Sequence, residues 1–236
     1  HIMECMFHGS WVLIYVDDVV VISRSVQDHI AHLSQVLQTA NRFKLRFNWE
    51  KVQIGFRKLA ILGHIVSGFT TEIDPSKMDL LLSIPRPTTG AQTESLLGLA
   101  SYLRQYIPLY STLLAPFEQV RKAHSIQWNE RLEAAWQGLR AIISSAPVLH
   151  HAVDGVELEV ATDASNVGVG AVLYQTVAGK RHYIMFAAKA LNAAQRNYPA
   201  SKKELLALVF ALRAFNQWLL GRRFTMYTDH QALTYL

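Results

Sequence analysis

The chain has 236 residues, half of them hydrophobic and 17% charged, with a net charge of +5 and a pI near 9.4. This is ample material for one large or two modest packed domains, and the mild basic bias suits a polyanionic partner without demanding one. The single cysteine, Cys5, excludes an internal disulfide and fits a reducing compartment. No apolar run approaches the roughly 20 residues needed to span a bilayer, and the N-terminus lacks a signal-peptide layout.

The first strong pattern is Trp11 to Ser23, WVLIYVDDVVVIS, in which two β-branched runs flank Asp17 and Asp18. Each run has the length of a buried strand, and the aspartates fall where a tight turn must lie. Adjacent carboxylates at the tip of an oily hairpin repel one another unless a divalent cation or a cationic group neutralises them. A solvated turn is the plainer alternative. Ser25 and Asp28 then have capping-box spacing, and Ile30, Leu33, Leu37 and Ala40 predict a helix over about 26–43 packed on the hairpin. Strands are expected at Leu45–Asn48, Val52–Phe56 and Leu59–Val66, punctuated by Gly63 and Gly68, which makes this block an α+β module.

The texture changes around Asp74-Pro75. Beyond Pro85 and Pro87, Leu96, Leu99, Ala100, Leu103 and Ile107 mark one helical face that Pro108 ends. Asn129 is placed to cap a second helix carrying Leu132, Trp136, Leu139 and Ile143, which Pro147 closes. Residues 75–147 thus read as a helical subdomain. Its Arg121, Lys122 and His124 would serve either as phosphate contacts or as a solvated basic loop.

From Leu158 the pattern returns to strands: Leu158–Thr162 leading into Asp163, then Ala171–Gln175 after Gly168 and Gly170, then Tyr183–Phe186 after a turn at Ala178-Gly179. A three-stranded antiparallel meander is the simplest account. A helix over about Ser201–Leu219 follows, with a core stripe of Leu205, Leu208, Val209, Leu212, Phe215 and Leu219, and with Gly221 as its cap. A last strand, Phe224–Thr228, ends in Asp229.

Asp163 and Asp229 each close a strand, and Glu204 opens the helix, so the three acids can meet at one edge of an α/β layer. Acids gathered in this way bind hard divalent cations, and a pair of such ions can activate water and stabilise the leaving oxygen of a phosphodiester. Each acid also has a structural alternative: a turn starter, a helix-dipole partner, a helix N-cap. His64, His182 and His230 show no zinc spacing and read as packed or surface histidines. Lys202-Lys203 and Arg222-Arg223 read as solvated pairs near that acidic edge, where a nucleic-acid backbone would need countercharge.

Taken in order, LIYVDDVVVIS, ILGHIVS, LLGLASYLRQYI, SSAPVL, ATDASNVGVGAVLYQ, LNAAQRNYPASKKELLALVFALRAF and YTDHQALTYL closely resemble the pol polyprotein of gypsy-type LTR retrotransposons, from the reverse transcriptase active-site hairpin into RNase H. The resemblance implies an α+β and α/β chain: a truncated polymerase palm (1–74), a helical thumb or connecting region (75–147) and an RNase H-like mixed sheet with helices (148–236). It implies that Asp17 and Asp18 are the palm pair holding Mg2+ or Mn2+, with Tyr15 and Val16 near the primer end. Leu62-Gly63-His64 would be the primer grip, so Gly63 and His64 join Tyr15, Arg121 and Lys122 as nucleic-acid contacts. Asp163, Glu204 and Asp229 would be three of the four RNase H carboxylates.

The expected partners are template-primer and RNA–DNA hybrid, with no membrane and with self-association as an option. The expected setting is intracellular, in a cytoplasmic virus-like particle or the nucleus. Two departures from the family pattern accompany the match: the third palm aspartate with the fingers, and the fourth RNase H carboxylate, both fall outside these residues. The expectation is therefore a fragment of an enzyme that copies RNA into DNA and cuts the RNA of the hybrid, impaired in isolation. The alternative is a non-catalytic, domesticated hybrid-binding or structural module.

Overall fold

The computed structural model describes residues 6, 7 and 9–229, which divide into two compact units, His1–Arg57 and Lys58–Leu236. In the first unit, β1 (Val12–Tyr15) and β2 (Asp18–Val21) form an antiparallel hairpin in the register Val12↔Val21 to Tyr15↔Asp18. Its two-residue turn is Val16-Asp17, so Asp18 is the first residue of β2 rather than part of the turn. Val16 holds a φ of 54°, a conformation that β-branched residues rarely adopt. The strands are not buried as the sequence suggested, since Leu13, Tyr15, Val16 and Ile22 are exposed.

Helix α1 (Val26–Arg42) starts at Ser25, whose hydroxyl accepts from the Asp28 N–H and donates to the Asp28 carboxylate at 2.7 Å. Its inward stripe keeps Leu33 and Ala40 of the expected set but takes Val36 in place of Leu37 and leaves Ile30 outside. Val36 and Ala40 are buried, whereas Ile30 and Leu37 face outward. Two histidines join the inward side through polar and aromatic contacts that periodicity does not weigh. The His32 ring stacks on Trp11 at 4.3 Å, and Ser23 Oγ lies 3.1 Å from His29 Nδ1 and 2.9 Å from His32 Nδ1. Strands do not form over 45–48 or 52–56; a single 3-10 turn, Trp49–Lys51, interrupts irregular chain there.

The second unit begins with a four-stranded antiparallel sheet in the order β3 (Lys58–Ile61), β4 (His64–Ser67), β5 (Thr70–Ile73), β6 (Val148–His150). The strand expected over 59–66 is split at Leu62-Gly63, both with positive φ (49° and 69°), as a tight hairpin turn requires. Strand β6 comes from beyond the helical segment and pairs with β5. The sheet thus joins residues on both sides of the helical segment within the second compact unit.

The helices between β5 and β6 are α2 (Pro75–Ser83), α3 (Gly90–Tyr102), α4 (Tyr110–Leu113), α5 (Ala115–Val120) and α6 (Glu130–Ser144), with a 3-10 turn at Arg104–Tyr106. Periodicity missed α2, which the Asp74 cap and Pro75 in its first turn start without a long apolar stripe. Asn129 caps α6 as expected, its Oδ1 accepting from the Leu132 N–H at 3.0 Å. The core of this part contains Leu81, Leu96, Ala100, Leu103, Tyr106, Ile107, Phe117, Leu132, Trp136, Leu139 and Ile143.

The second sheet has the order β10-β7-β8-β9, built from β7 (Leu158–Ala164), β8 (Gly168–Val177), β9 (Lys180–Ala190) and β10 (Phe224–Tyr227). The meander is as expected, with positive φ at Ala178 and Gly179 in its second turn. Helix α7 (Ala193–Arg196), helix α8 (Ala200–Ala214) and the short α9 (Asn216–Leu219) carry the chain across to β10, which runs parallel to β7. The α8 residues turned inward are Lys203, Glu204, Ala207, Leu208 and Ala211; of the expected stripe Leu208, Phe215 and Leu219 are buried, whereas Leu205, Val209 and Leu212 are exposed. Small Ala207 and Ala211, both fully buried, let the helix approach the sheet closely.

The helical segment packs directly on this sheet. Arg104 Nη2 donates to the Ala188 carbonyl at 2.7 Å, and Thr112 Oγ1 lies 3.1 Å from Ser165 Oγ. A side chain at Gly168 would crowd Ser111 at 3.2 Å, and one at Gly170 would run into the Leu109 side chain. Both glycines, read from the sequence as punctuation, are the floor on which α4 rests.

Candidate metal centre and nucleic-acid contacts

The second sheet brings three distant carboxylates together. Strand β10 runs parallel to β7 as far as the pair Tyr227↔Ala161; Asp163 lies two residues further along β7, and Asp229 lies two residues past the end of β10. Opposite Asp163, on the other side of β7, stands Gly170, which offers no side chain. Glu204 lies on the inward face of α8, two positions after Lys202 and three before Ala207. One oxygen from each of Asp163, Glu204 and Asp229 falls within 4.8 Å of the others; the aspartates are exposed and Glu204 is buried. None of the ion pairs among the described residues involves Asp163 or Asp229. An all-oxygen donor set of this charge suits a hard divalent cation. It is the one such group of three among the described residues.

Asp17 and Asp18 are both exposed at the end of the first unit's hairpin, with Tyr15 exposed opposite Asp18. The positive φ of Val16 sharpens the turn that presents them. No third acid or imidazole joins this pair among the described residues.

The remaining sequence-selected residues are engaged in different ways. Gly63 sits under Tyr102, whose hydroxyl donates to the Leu62 carbonyl. The His64 ring stacks on Tyr102 at 5.2 Å, and its Nδ1 is 3.0 Å from the hydroxyl of buried Tyr106. Burial holds the His64 imidazole below its ordinary pKa, with the nearby Asp74 charge opposing, and burial pushes the Tyr106 hydroxyl well above its own. Arg121 pairs with Glu118 at 3.1 Å and Glu94 at 3.6 Å, whereas Lys122 is exposed. His182 stacks on His150 at 4.1 Å, a packed pair, and His230 lies outside the described residues.

Lys203, read with Lys202 as solvated, is in fact buried, 7% exposed, with Nζ 2.9 Å from Asn166 Oδ1. The signal that separates the two lysines is helical phase: Lys203 is four residues before Ala207 on the inward face. Lys202 instead lies over the Tyr198 ring, 4.1 Å from its centroid.

Two segments of the chain match known domain families, one of reverse transcriptases and one of the RNase H-like domains found in them. The model for "Reverse transcriptase (RNA-dependent DNA polymerase)" matches residues 2–66, and that for "RNase H-like domain found in reverse transcriptase" matches residues 128–226. Its relatives are gypsy-type retrotransposon Pol polyproteins. The Pol polyprotein from transposon 297 of Drosophila melanogaster is 33% identical over 226 residues, which cover 95% of this chain and 21% of that protein. The Pol polyprotein from Drosophila transposon gypsy is 32% identical, covering 96% and 23%. The Tf2-3 polyprotein of Schizosaccharomyces pombe is 30% identical, covering 95% and 17%. The chain thus spans about a fifth of the length of these relatives.

Among solved structures, the foamy viral protease-reverse transcriptase in complex with RNA/DNA hybrid shares the fold with a TM-score of 0.76 at 19% identity, over 94% of this chain and 31% of that one. The foamy viral protease-reverse transcriptase dRH in complex with double-stranded DNA gives 0.78 at 19% identity, over 95% and 40%.

Proposed function

We propose that the chain is the part of a retrotransposon Pol polyprotein that joins RNA-directed DNA synthesis to cleavage of RNA in RNA–DNA hybrids. The observation that carries this reading is the meeting of Asp163, Glu204 and Asp229 within 4.8 Å at one end of the second sheet. These three residues would hold Mg2+, and Asp17 and Asp18 would do so in the polymerase segment. A divalent cation supplies activation of the attacking oxygen and stabilisation of the leaving one at a phosphodiester.

The chain's own residues set the geometry. Strand β7 carries Asp163, the parallel strand β10 delivers the chain to Asp229 just past its end, and α8 brings Glu204 to the two aspartates on a helix seated by alanines. Exposed Lys122 and Lys202 and the +5 net charge provide countercharge for a nucleic-acid backbone. Tyr15, beside the aspartate pair, would face the primer end. Template-primer and RNA–DNA hybrid are the partners proposed, in keeping with the nucleic acids named for the foamy viral neighbours.

The test is Mg2+-dependent cleavage of a labelled RNA–DNA hybrid by the chain and by Asp163→Asn, alongside hybrid binding measured against salt. Cutting that Asp163→Asn abolishes while binding persists supports the reading. Hybrid binding with no Mg2+-dependent cutting by the parent chain would favour a binding module, and cutting that is indifferent to Asp163 would refute the site.

A further inference from the structure

Lys203 is a buried ammonium with an amide oxygen as its hydrogen-bond partner: it is 7% exposed, and its Nζ lies 2.9 Å from Asn166 Oδ1. An ammonium has three donors and strong hydration, so burying it against a neutral partner is unfavourable; an apolar side chain of similar length would fill the space more cheaply. What the lysine provides instead is a link between two elements. It precedes Glu204 on α8, and Asn166 follows Asp163 by three residues in the β7–β8 turn.

That turn is itself held. Ser165 Oγ accepts from the Gly168 N–H at 3.0 Å and the Val167 N–H at 3.3 Å, and it lies 3.1 Å from Thr112 Oγ1 on α4. At the other end, α8 is seated by buried Ala207 and Ala211. The Lys203–Asn166 hydrogen bond therefore spans two anchored supports, one carrying Asp163 and the other Glu204.

We propose that Lys203, through Asn166, is a positioning residue that fixes the spacing between Asp163 and Glu204 for divalent-cation binding; this rests on the reading of the carboxylate trio as a metal centre. The sign of the effect separates a clamp from a mere charge. Removing a positive charge beside a cation site would raise cation affinity, whereas removing a clamp lowers it. Outer partners that orient metal ligands are typically worth about 10- to 100-fold in affinity.

The experiment is Mn2+ binding to the full chain by water-proton relaxation, for the parent, Asp163→Asn, Lys203→Met and Asn166→Ala, with thermal midpoints recorded for each. The proposal expects Lys203→Met and Asn166→Ala each to weaken Mn2+ binding by about tenfold, with the midpoint of Lys203→Met at or above that of the parent. Unchanged or tighter binding in Lys203→Met overturns it, as does an Asn166→Ala protein that binds like the parent. Binding by the parent that Asp163→Asn does not weaken, or no binding at all, overturns the metal-centre reading and this inference together.

Discussion

Gly63→Ala tests whether the Leu62-Gly63-His64 turn is a packing joint. At Gly63, with φ at 69°, a Cβ would be driven into the Tyr102 hydroxyl and would lie 3.1 Å from Tyr102 Cζ and 3.3 Å from Lys77 Cε. Holding alanine in the left-handed region costs about 1 kcal/mol. Displacing Tyr102 also gives up its hydrogen bond to the Leu62 carbonyl, about 1 kcal/mol. Its stack on His64 is worth about 0.5–1.5 kcal/mol more. The sum is about 2–4 kcal/mol, read as a lower urea midpoint at unchanged slope. Tyr102→Phe removes the atom the new methyl would strike, so in that background the cost of Gly63→Ala should fall to about the 1 kcal/mol of the backbone. A loss under about 0.5 kcal/mol, or an equal loss with and without the Tyr102 hydroxyl, would refute the packing account.

Gln175→Leu should destabilise the second unit by about 3–5 kcal/mol by urea unfolding. Gln175 is 1% exposed and makes three bonds to the 153–156 loop, accepting from the Val153 N–H and donating to the Val153 and Val156 carbonyls, all of which leucine abandons. Glu159→Gln should lower stability at neutral pH and cost progressively less on the acid side. The Thr176 hydroxyl, and after it that of Tyr227, hold the Glu159 carboxyl below its ordinary value of 4.5. A depressed carboxyl pKa contributes stability that is present above the unfolded value and lost as pH falls through the folded one. The difference in thermal midpoint between parent and Glu159→Gln should therefore be constant above about pH 5 and shrink below about pH 4.5; a difference that grows on acidification would contradict the assignment.

Local chemistry in the sequence determined a good part of this molecule. The paired runs around Asp17, the Ser25 and Asn129 caps, the meander from Leu158 and the candidacy of Asp163, Glu204 and Asp229 all rest on signals within a few residues of each element. Turn and cap preferences act through backbone groups close in sequence, so they can be read without knowing what lies across the core.

Tertiary packing decided the rest. Whether 45–56 forms strands depends on a pairing partner, and none is supplied there. Strand β6 is defined by its bonds to β5, about 80 residues upstream (Thr70↔His150). The buried face of α8 takes Ala207, Ala211 and Glu204 together with Leu208 and leaves Leu205 and Leu212 outside, because close helix-to-sheet packing favours small side chains at the contact. Asp229 meets Asp163 because β10 runs beside β7 and releases the chain near it, and Lys203 parts from Lys202 through helical phase; both are properties of elements brought together, which no local run of residues carries.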